Sequence, residues 1–340
     1  MMTNDFTVVG ENIHCTRIVK REGRRALKRE DGSEGIRFDF RGEGQWLPIP
    51  ADWGAFSPAF EQGKVKHAAL AVYSALNGDD IQRRAGENYL SWMAEQQIEA
   101  GADFLDVNVD EYATDREKVV EAMDFLAGFL SARYATPLSI DSSDPETLRV
   151  GLSRCRAEVG SPMINSISLE REATVELLGE FKAEAIVNAA GTAGMPCGVE
   201  ERLDNLREII GRIKAAGAAL SRLHVDALVL PISTDPANAG DFLETTKAAL
   251  REFPGIHATG GLSNVSFGMP ARKLLNMVFT RMGADEYGLD GGIIDPVQMP
   301  ISEIAALDPN SEPFKLARAV LTGEDVFGME FIAASRDGRL

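Results

Sequence analysis

Cysteine is scarce in this chain: Cys15, Cys155 and Cys197 are an odd number with no C-x-x-C spacing. Neither a disulfide framework nor a zinc knuckle is implied, and the thiols read as reduced. Long hydrophobic runs are missing too. The longest uncharged apolar stretches, such as Ala185 to Ala190 and Ala227 to Ile232, fall far short of the roughly 20 residues a membrane span requires. The opening residues Met1-Met2-Thr3-Asn4-Asp5 lack the basic and apolar regions of a signal peptide, so the expected location is the cytoplasm. Positive charge is in deficit, 35 Lys and Arg against 52 Asp and Glu, for a net charge of −17. Nucleic acid is therefore not an expected partner, because phosphate binding requires a basic footprint. Histidine is confined to His14, His67, His224 and His257, with no H-x-x-x-H spacing, and no metal site is expected.

What is present is an ordinary globular composition, 44% hydrophobic and 26% charged, over 340 residues. That length suits one α/β barrel of about 250 residues with additions, read here as a single domain over 1–340. Short β-rich segments alternate with helical periodicity eight times. The expected strands are Thr7 to Ile13, Phe104 to Val109, Pro137 to Ile140, Pro162 to Ile167, Ala185 to Ala190, Leu223 to Leu230, Ile256 to Gly261 and Glu286 to Leu289. Helices are expected over, among others, Asp80 to Gly101, Asp115 to Arg133, Pro145 to Arg156, Glu200 to Ala218, Asp241 to Phe253 and Ala271 to Met282. Eight parallel strands with right-handed crossovers close most naturally into a (β/α)8 TIM barrel, with an open doubly wound sheet as the alternative.

About 60 residues separate the first strand from the helix near Asp80, where a βα loop usually takes 2 to 6. This insertion, at about 15–78, opens with Arg17, Lys20, Arg21, Arg24, Arg25, Lys28 and Arg29 against only Glu22, and reads as a basic helix with a solvated face. Trp46, Pro48, Pro50, Trp53, Phe56, Pro58 and Phe60 follow as an irregular, aromatic-anchored loop. Gly260-Gly261 and Gly291-Gly292 are weak candidates for phosphate-cradling turns.

Polar residues recur where the strands end: Glu11 and Asn12, Asp106 and Asn108, Asp141 and Ser142, Asn165 and Ser166, Asn188, Asp226, Ser263 and Asn264. Barrels assemble their sites there. Asp106 and Asn108 are spaced by two and share a face. Inward carboxylates are costly without partners, and this acidic, amide-rich floor suits a neutral heterocycle with amino and lactam groups, such as a pterin. For Ser142, Ser143 or Asp144, capping the helix that begins at Pro145 is the plainer role.

These residues resemble the pterin-binding barrels, and among them the methyltetrahydrofolate:corrinoid methyltransferases. The likeness rests on Gly10-Glu11-Asn12-Ile13, Leu105-Asp106-Val107-Asn108-Val109, Ile140-Asp141-Ser142, Met163-Ile164-Asn165-Ser166 and Leu262-Ser263-Asn264-Val265-Ser266. It covers nearly the whole chain except the insertion. The related dihydropteroate synthases carry arginine and lysine after the seventh-strand serine, so that activity, like a non-catalytic pterin-binding subunit, is the weaker reading.

The resemblance implies a fold, a reaction and roles. Asp141, Asn165 and Asp226 would hydrogen-bond the pterin ring of tetrahydrofolate or 5-methyltetrahydrofolate, with Glu11, Asp106 and Asn108 in the same floor. Asn264 would contact the methyl-bearing nitrogen and act in catalysis with Asp226, and Arg272 would lie near the folate and the incoming corrinoid. The corrinoid (cobalamin) would arrive on a partner protein, since no Asp-x-His-x-x-Gly motif is present. A homodimer is also implied. His14 stands where the family usually has asparagine, and Phe267-Gly268 where amides are common. The basic segment would then face folate glutamates or an acidic corrinoid protein.

Overall fold

The computed structural model describes residues 5–192 and 194–340. Strand β1 is Thr7–His14; the insertion supplies β2 (Ile18–Lys20), β3 (Ala26–Lys28), β4 (Glu34–Phe40), β5 (Glu43–Pro48) and β6 (Lys64–Lys66). Then come β7 (Phe104–Asn108), β8 (Leu138–Asp141), β9 (Met163–Ile167), β10 (Glu184–Asn188), β11 (Leu223–Asp226), β12 (His257–Thr259) and β13 (Gly291–Ile294). One eight-stranded sheet runs in the order β12-β11-β10-β9-β8-β7-β1-β13, and the pairs β7/β8, β9/β10, β10/β11 and β11/β12 are parallel. The fold class is the (β/α)8 TIM barrel.

The local chemistry explains these elements. Every residue of β7 and of β13 is buried, as strands covered on both faces must be. Three of the helices between strands start at side-chain caps. Asp79 and Gln82 form a capping box before Asp80–Glu99, Asp115 caps Arg116–Arg133, and Asp144 caps Pro145–Ser153, whose proline needs no N–H partner. Asp144 is the cap residue; Ser142 and Ser143 donate to Asp110, and Ser142 Oγ also accepts from the Asp144 N–H at 3.1 Å.

Two expectations are corrected. The eighth strand is Gly291–Ile294, whereas the expected Glu286 to Leu289 falls in and just beyond a single π-helical turn, Gly283–Tyr287. The misplacement has a steric cause. A Cβ on Gly292 would lie 2.6 Å from Leu262 Cδ1, and one on Gly291 3.3 Å from the Thr7 carbonyl oxygen, so close neighbours favour glycine in a buried strand that lacks β-branched residues at its start. Gly291-Gly292 is thus strand, not a phosphate turn.

The basic segment is not a helix either. It forms β2, which pairs antiparallel with β6, and β3, the edge of the three-stranded sheet β3-β4-β5. Arg21, Arg25 and Arg29 have helical spacing, yet each sits over a different ring: Phe60 at 3.9 Å, Trp92 at 4.9 Å and Trp46 at 4.0 Å. Three separate cation–π contacts satisfy the pattern that periodicity assigned to one helix face.

Contacts divide the chain into two compact units, residues 10–100 with 104–162 and the described residues of 1–9, 101–103 and 163–340. In the first, β4 lays Phe38 against Tyr89 and Trp92 of helix Asp80–Glu99, and Trp53 is fully buried against Phe56 and Tyr73. In the second, Phe242 and Phe279 meet at 5.4 Å inside a core of Leu206, Ile210, Leu243 and Val278. No helix among the described residues is long and apolar enough to cross a membrane.

Candidate active site

The first unit gathers Glu11, His14, Asp106, Asn108 and Asp141. β1 delivers Glu11 and His14 from its C-terminal half, and the pairing of β7 with β8 sets Asn108 opposite Asp141. His14 Nε2 lies 2.6 Å from Asp106 Oδ2, and Asp106 is fully buried. Asn108 hydrogen-bonds the Asp141 carboxyl, which burial, with the Asp106 charge adding to it, pushes up to about 7. Glu11 receives Arg17 at 2.8 Å, but burial outweighs that cation and holds the Glu11 carboxyl above its ordinary range. Asp110, just beyond β7, accepts from Ser142 Oγ at 2.5 Å and from Ser143 N and Oγ, both at 2.8 Å.

Ligand atoms of His14, Asp106 and Asp141 all lie within 4.8 Å of one another, a donor set compatible with a metal ion. The spacing rule that argued against a metal site could not register it, since each ligand comes from a different strand.

The second unit gathers Asn165, Ser166, Asn188, Asp226, Asn264 and Arg272. Asn188 donates to Ser166 Oγ at 2.6 Å and stands in register with Asp226. Asp226 Oδ1 accepts from Leu228 N at 2.8 Å; burial nevertheless pushes this carboxyl up to about 6. Asn264 sits in the short 3-10 turn Leu262–Ser266 that follows β12. The turn fits because Gly261 has no side chain: a Cβ there would come within 2.9 Å of Asn264 Nδ2. Arg272 opens the helix Arg272–Met282, donates to Ser266 Oγ and the Ser263 carbonyl at 3.0 Å each, and stacks over Phe267 at 4.3 Å.

Arg202 was overlooked at the sequence level. It is 1% exposed, and its guanidinium donates to the carbonyls of Ala227 and Leu228 at 2.7 and 2.8 Å, fixing the turn that carries Asp226. The signal was available: Arg202 lies in register with Leu206, Ile209 and Ile213 on the buried stripe of helix Gly198–Ala215, where an arginine needs a specific partner. Arg202→Met strands two carbonyls and removes a cation beside Asp226. Unfolding in urea is expected to show a loss of about 2–5 kcal/mol, from the cost of orphaned buried groups. A change below about 0.5 kcal/mol, the size of an ordinary surface substitution, would contradict the role.

With the geometry in place, the similarities to known proteins acquire meaning. A family model described as pterin binding enzyme matches residues 86–295. A methylcorrinoid:tetrahydrofolate methyltransferase of Eubacterium limosum is 29% identical over 260 residues, covering 75% of this chain and 89% of the relative. A methionine synthase of Mycobacterium leprae (strain TN) is 31% identical over 259 residues, 68% of this chain, but the chain spans only 21% of that protein. Among solved structures, the dihydropteroate synthase of Stenotrophomonas maltophilia with active-site-bound imidazole superposes with a TM-score of 0.52 at 18% identity, covering 65% of this chain and 86% of that one. At that identity the likeness is one of fold.

Proposed function

This chain belongs to the pterin binding enzymes, and on that premise we propose that it moves a methyl group between 5-methyltetrahydrofolate and the cobalt of a corrinoid carried on a separate protein. The observation that carries the reading is Asn264, a neutral amide presented after β12 with room made for it by Gly261. The Eubacterium limosum relative, matched over 89% of its length, bears the name of this reaction. In this reading residues 1–340 act as a single cytoplasmic domain of one-carbon metabolism, paired as a homodimer.

Tetrahydrofolate fits the donor set on chemical grounds. Asp141 and Asp226 are carboxylates kept in low-dielectric surroundings without a cation bonded to either, and the amino and lactam N–H groups of a pterin offer the missing donors. Asn165 completes the ring contacts, Glu11, Asp106 and Asn108 form the supporting floor, and Arg272 faces the folate tail and the incoming corrinoid. Methyl transfer is a displacement: as donor, the folate N5 keeps the bonding pair of the broken N–CH3 bond and takes up a proton from solvent to give tetrahydrofolate; as acceptor, N5 attacks the methyl carbon through its lone pair and releases its proton to solvent. Asn264 donates an N–H to N5, an interaction that gains strength as charge develops there, with Asp226 ordering the surrounding hydrogen bonds. The cobalt supplies the partner nucleophile or leaving group; the barrel supplies position.

Ring recognition needs both carboxylates ionised. With Asp141 held near 7 and Asp226 near 6, protonation on acidification removes the acceptors, so tetrahydrofolate affinity is expected to fall as pH drops from 8 to 5. Calorimetric titration checks this, and a flat profile would remove the two residues from the ring site. The reaction itself is tested by mixing the protein with 5-methyltetrahydrofolate and reduced cobalamin, free or protein-bound, and following methylcobalamin absorbance. No methylcobalamin in either format would sink the assignment.

A further inference from the structure

Between the helices Glu312–Leu321 and Met329–Arg336 the chain turns apolar side chains toward solvent. Phe327 is 74% exposed, Met329 69% and Val326 59%, although nearby Phe331 is fully enclosed. Fraying does not account for this. Asp325 is buried; its N–H reaches the Ala319 carbonyl and its carbonyl accepts the Gly328 N–H, each at 3.0 Å, while its carboxylate accepts from Glu330 N and Phe331 N at 3.2 and 2.9 Å. The turn Val326–Gly328 is thereby fixed, with Phe327 held at φ 58°, a left-handed conformation that is unfavourable for a bulky side chain. A strained backbone that presents an aromatic ring to water is a mark of function. The turn also adjoins the loop that follows β12. A Cβ on Gly328 would lie 3.0 Å from Met269 Cε, and Met269 N–H bonds the Ser266 carbonyl at 3.0 Å, at the end of the turn that carries Asn264. Phe267 stands between them, 47% exposed, its carbonyl held by Ser233 Oγ at 2.5 Å.

We propose that Val326, Phe327 and Met329, together with Phe267, form the surface on which the corrinoid-bearing protein docks, seating its cobalt beside Asn264. The proposal rests on the methyl-transfer reading, in which a separate protein brings the cobalt to the folate and leaves again in each cycle. The size of the patch favours that occupant over a second copy of this chain. Four side chains of about 200 Å² each, exposed to these extents, offer on the order of 500 Å². A stable standard interface takes about 800 Å² from each partner and an obligate dimer more, whereas transient encounters use less. Position argues the same way. A second copy seated on this patch would stand against the turn of Asn264, where the cobalt has to arrive. Phenylalanine as a rigid anchor and methionine as an adaptable neighbour suit a contact that forms and breaks repeatedly.

The test compares the native full chain with a variant carrying Phe327→Gly and Met329→Ser, in which the ring and the thioether are gone while glycine relaxes the left-handed turn and preserves folding. Two methyl acceptors are used: free reduced cobalamin, and the Asp-x-His-x-x-Gly corrinoid protein of the source organism loaded with cobalamin. With 5-methyltetrahydrofolate saturating, the variant is expected to methylate free cobalamin at the native rate. It is expected to need about 30-fold more corrinoid protein for half its maximal rate, the loss that follows removal of a hot-spot aromatic. Binding of the corrinoid protein, followed by sedimentation velocity without folate, should weaken by the same factor. Equal losses with both acceptors, or no change with either, overturn the proposal, as does a native chain that methylates free cobalamin but neither binds nor methylates the corrinoid protein. A native dimer that the variant dissociates also overturns it and makes the patch an interface between copies. If the native chain methylates neither acceptor, the methyl-transfer reading fails, whereas sedimentation still decides whether the patch holds the corrinoid protein.

Discussion

Asn264→Ala is expected to slow methyl transfer by about 10²- to 10³-fold, the cost of removing one preorganised donor from a developing charge, while tetrahydrofolate binding stays within several-fold. The split follows from when the interaction is made. In the bound ground state the folate N5 is a weakly polar acceptor, and one amide N–H contributes little beyond the water it replaces. As the bond to the methyl carbon changes, charge accumulates at N5 and the same N–H becomes worth several kilocalories. The turn Leu262–Ser266 holds the backbone of Asn264 through its N–H to the Gly261 carbonyl at 3.0 Å, so alanine removes the amide without releasing the loop. Single-turnover rates alongside calorimetry decide the matter. Equal losses in rate and affinity would make Asn264 a uniform binding contact instead.

Asp226→Ala is expected to do the reverse: weaken tetrahydrofolate binding by about 10²-fold, from ring donors left without a partner at about 1–3 kcal/mol each, with a smaller effect on the rate once folate is saturating. It carries a second signature in stability. The Asp226 carboxyl is raised from 3.8 to about 6 in the folded chain, so its favourable protonated form is present below the unfolded value and lost as pH rises through 6. At pH 7 the ionised carboxylate costs the fold on the order of 3 kcal/mol. Relative to the native chain, the alanine variant should gain stability between pH 4 and pH 7 in urea unfolding. A residue retained at such a cost is the usual mark of a binding site. A native-minus-variant difference independent of pH would refute the burial argument.

The barrel was legible because seven of its strands are short apolar runs bounded by turn residues, and the parallel reading follows from their continuous hydrophobicity. The exception, Gly291–Ile294, failed for a tertiary reason: its two glycines answer to Leu262 and the Thr7 carbonyl, neighbours that no local pattern contains. The insertion failed for a related one. Arg21, Arg25 and Arg29 repeat every four residues, but their rings belong to Phe60, Trp92 and Trp46, which lie 39, 67 and 17 positions further along the chain. Polarity at the strand ends singled out the candidate site residues, and the family resemblance supplied their expected roles. Their couplings, such as His14 to Asp106 and Arg202 to the Ala227 and Leu228 carbonyls, cross between elements and emerge only once strands and helices are set side by side.

The aromatic side of the insertion also determines how the molecule reports on itself. Trp46, Trp53 and Trp92 are the three tryptophans of the chain, and all belong to the unit of residues 10–100 and 104–162. Trp46 lies under Arg29, Trp53 is sealed from solvent, and Trp92 leans on Phe38 and Tyr89. Intrinsic tryptophan emission therefore watches the insertion and its supporting helix and is blind to residues 163–340, where Asp226 and Asn264 reside. An emission transition that coincides with loss of far-ultraviolet circular dichroism would mean that both units melt as one cooperative body. An earlier emission transition would mean that the inserted sheet peels away while residues 163–340 stay folded.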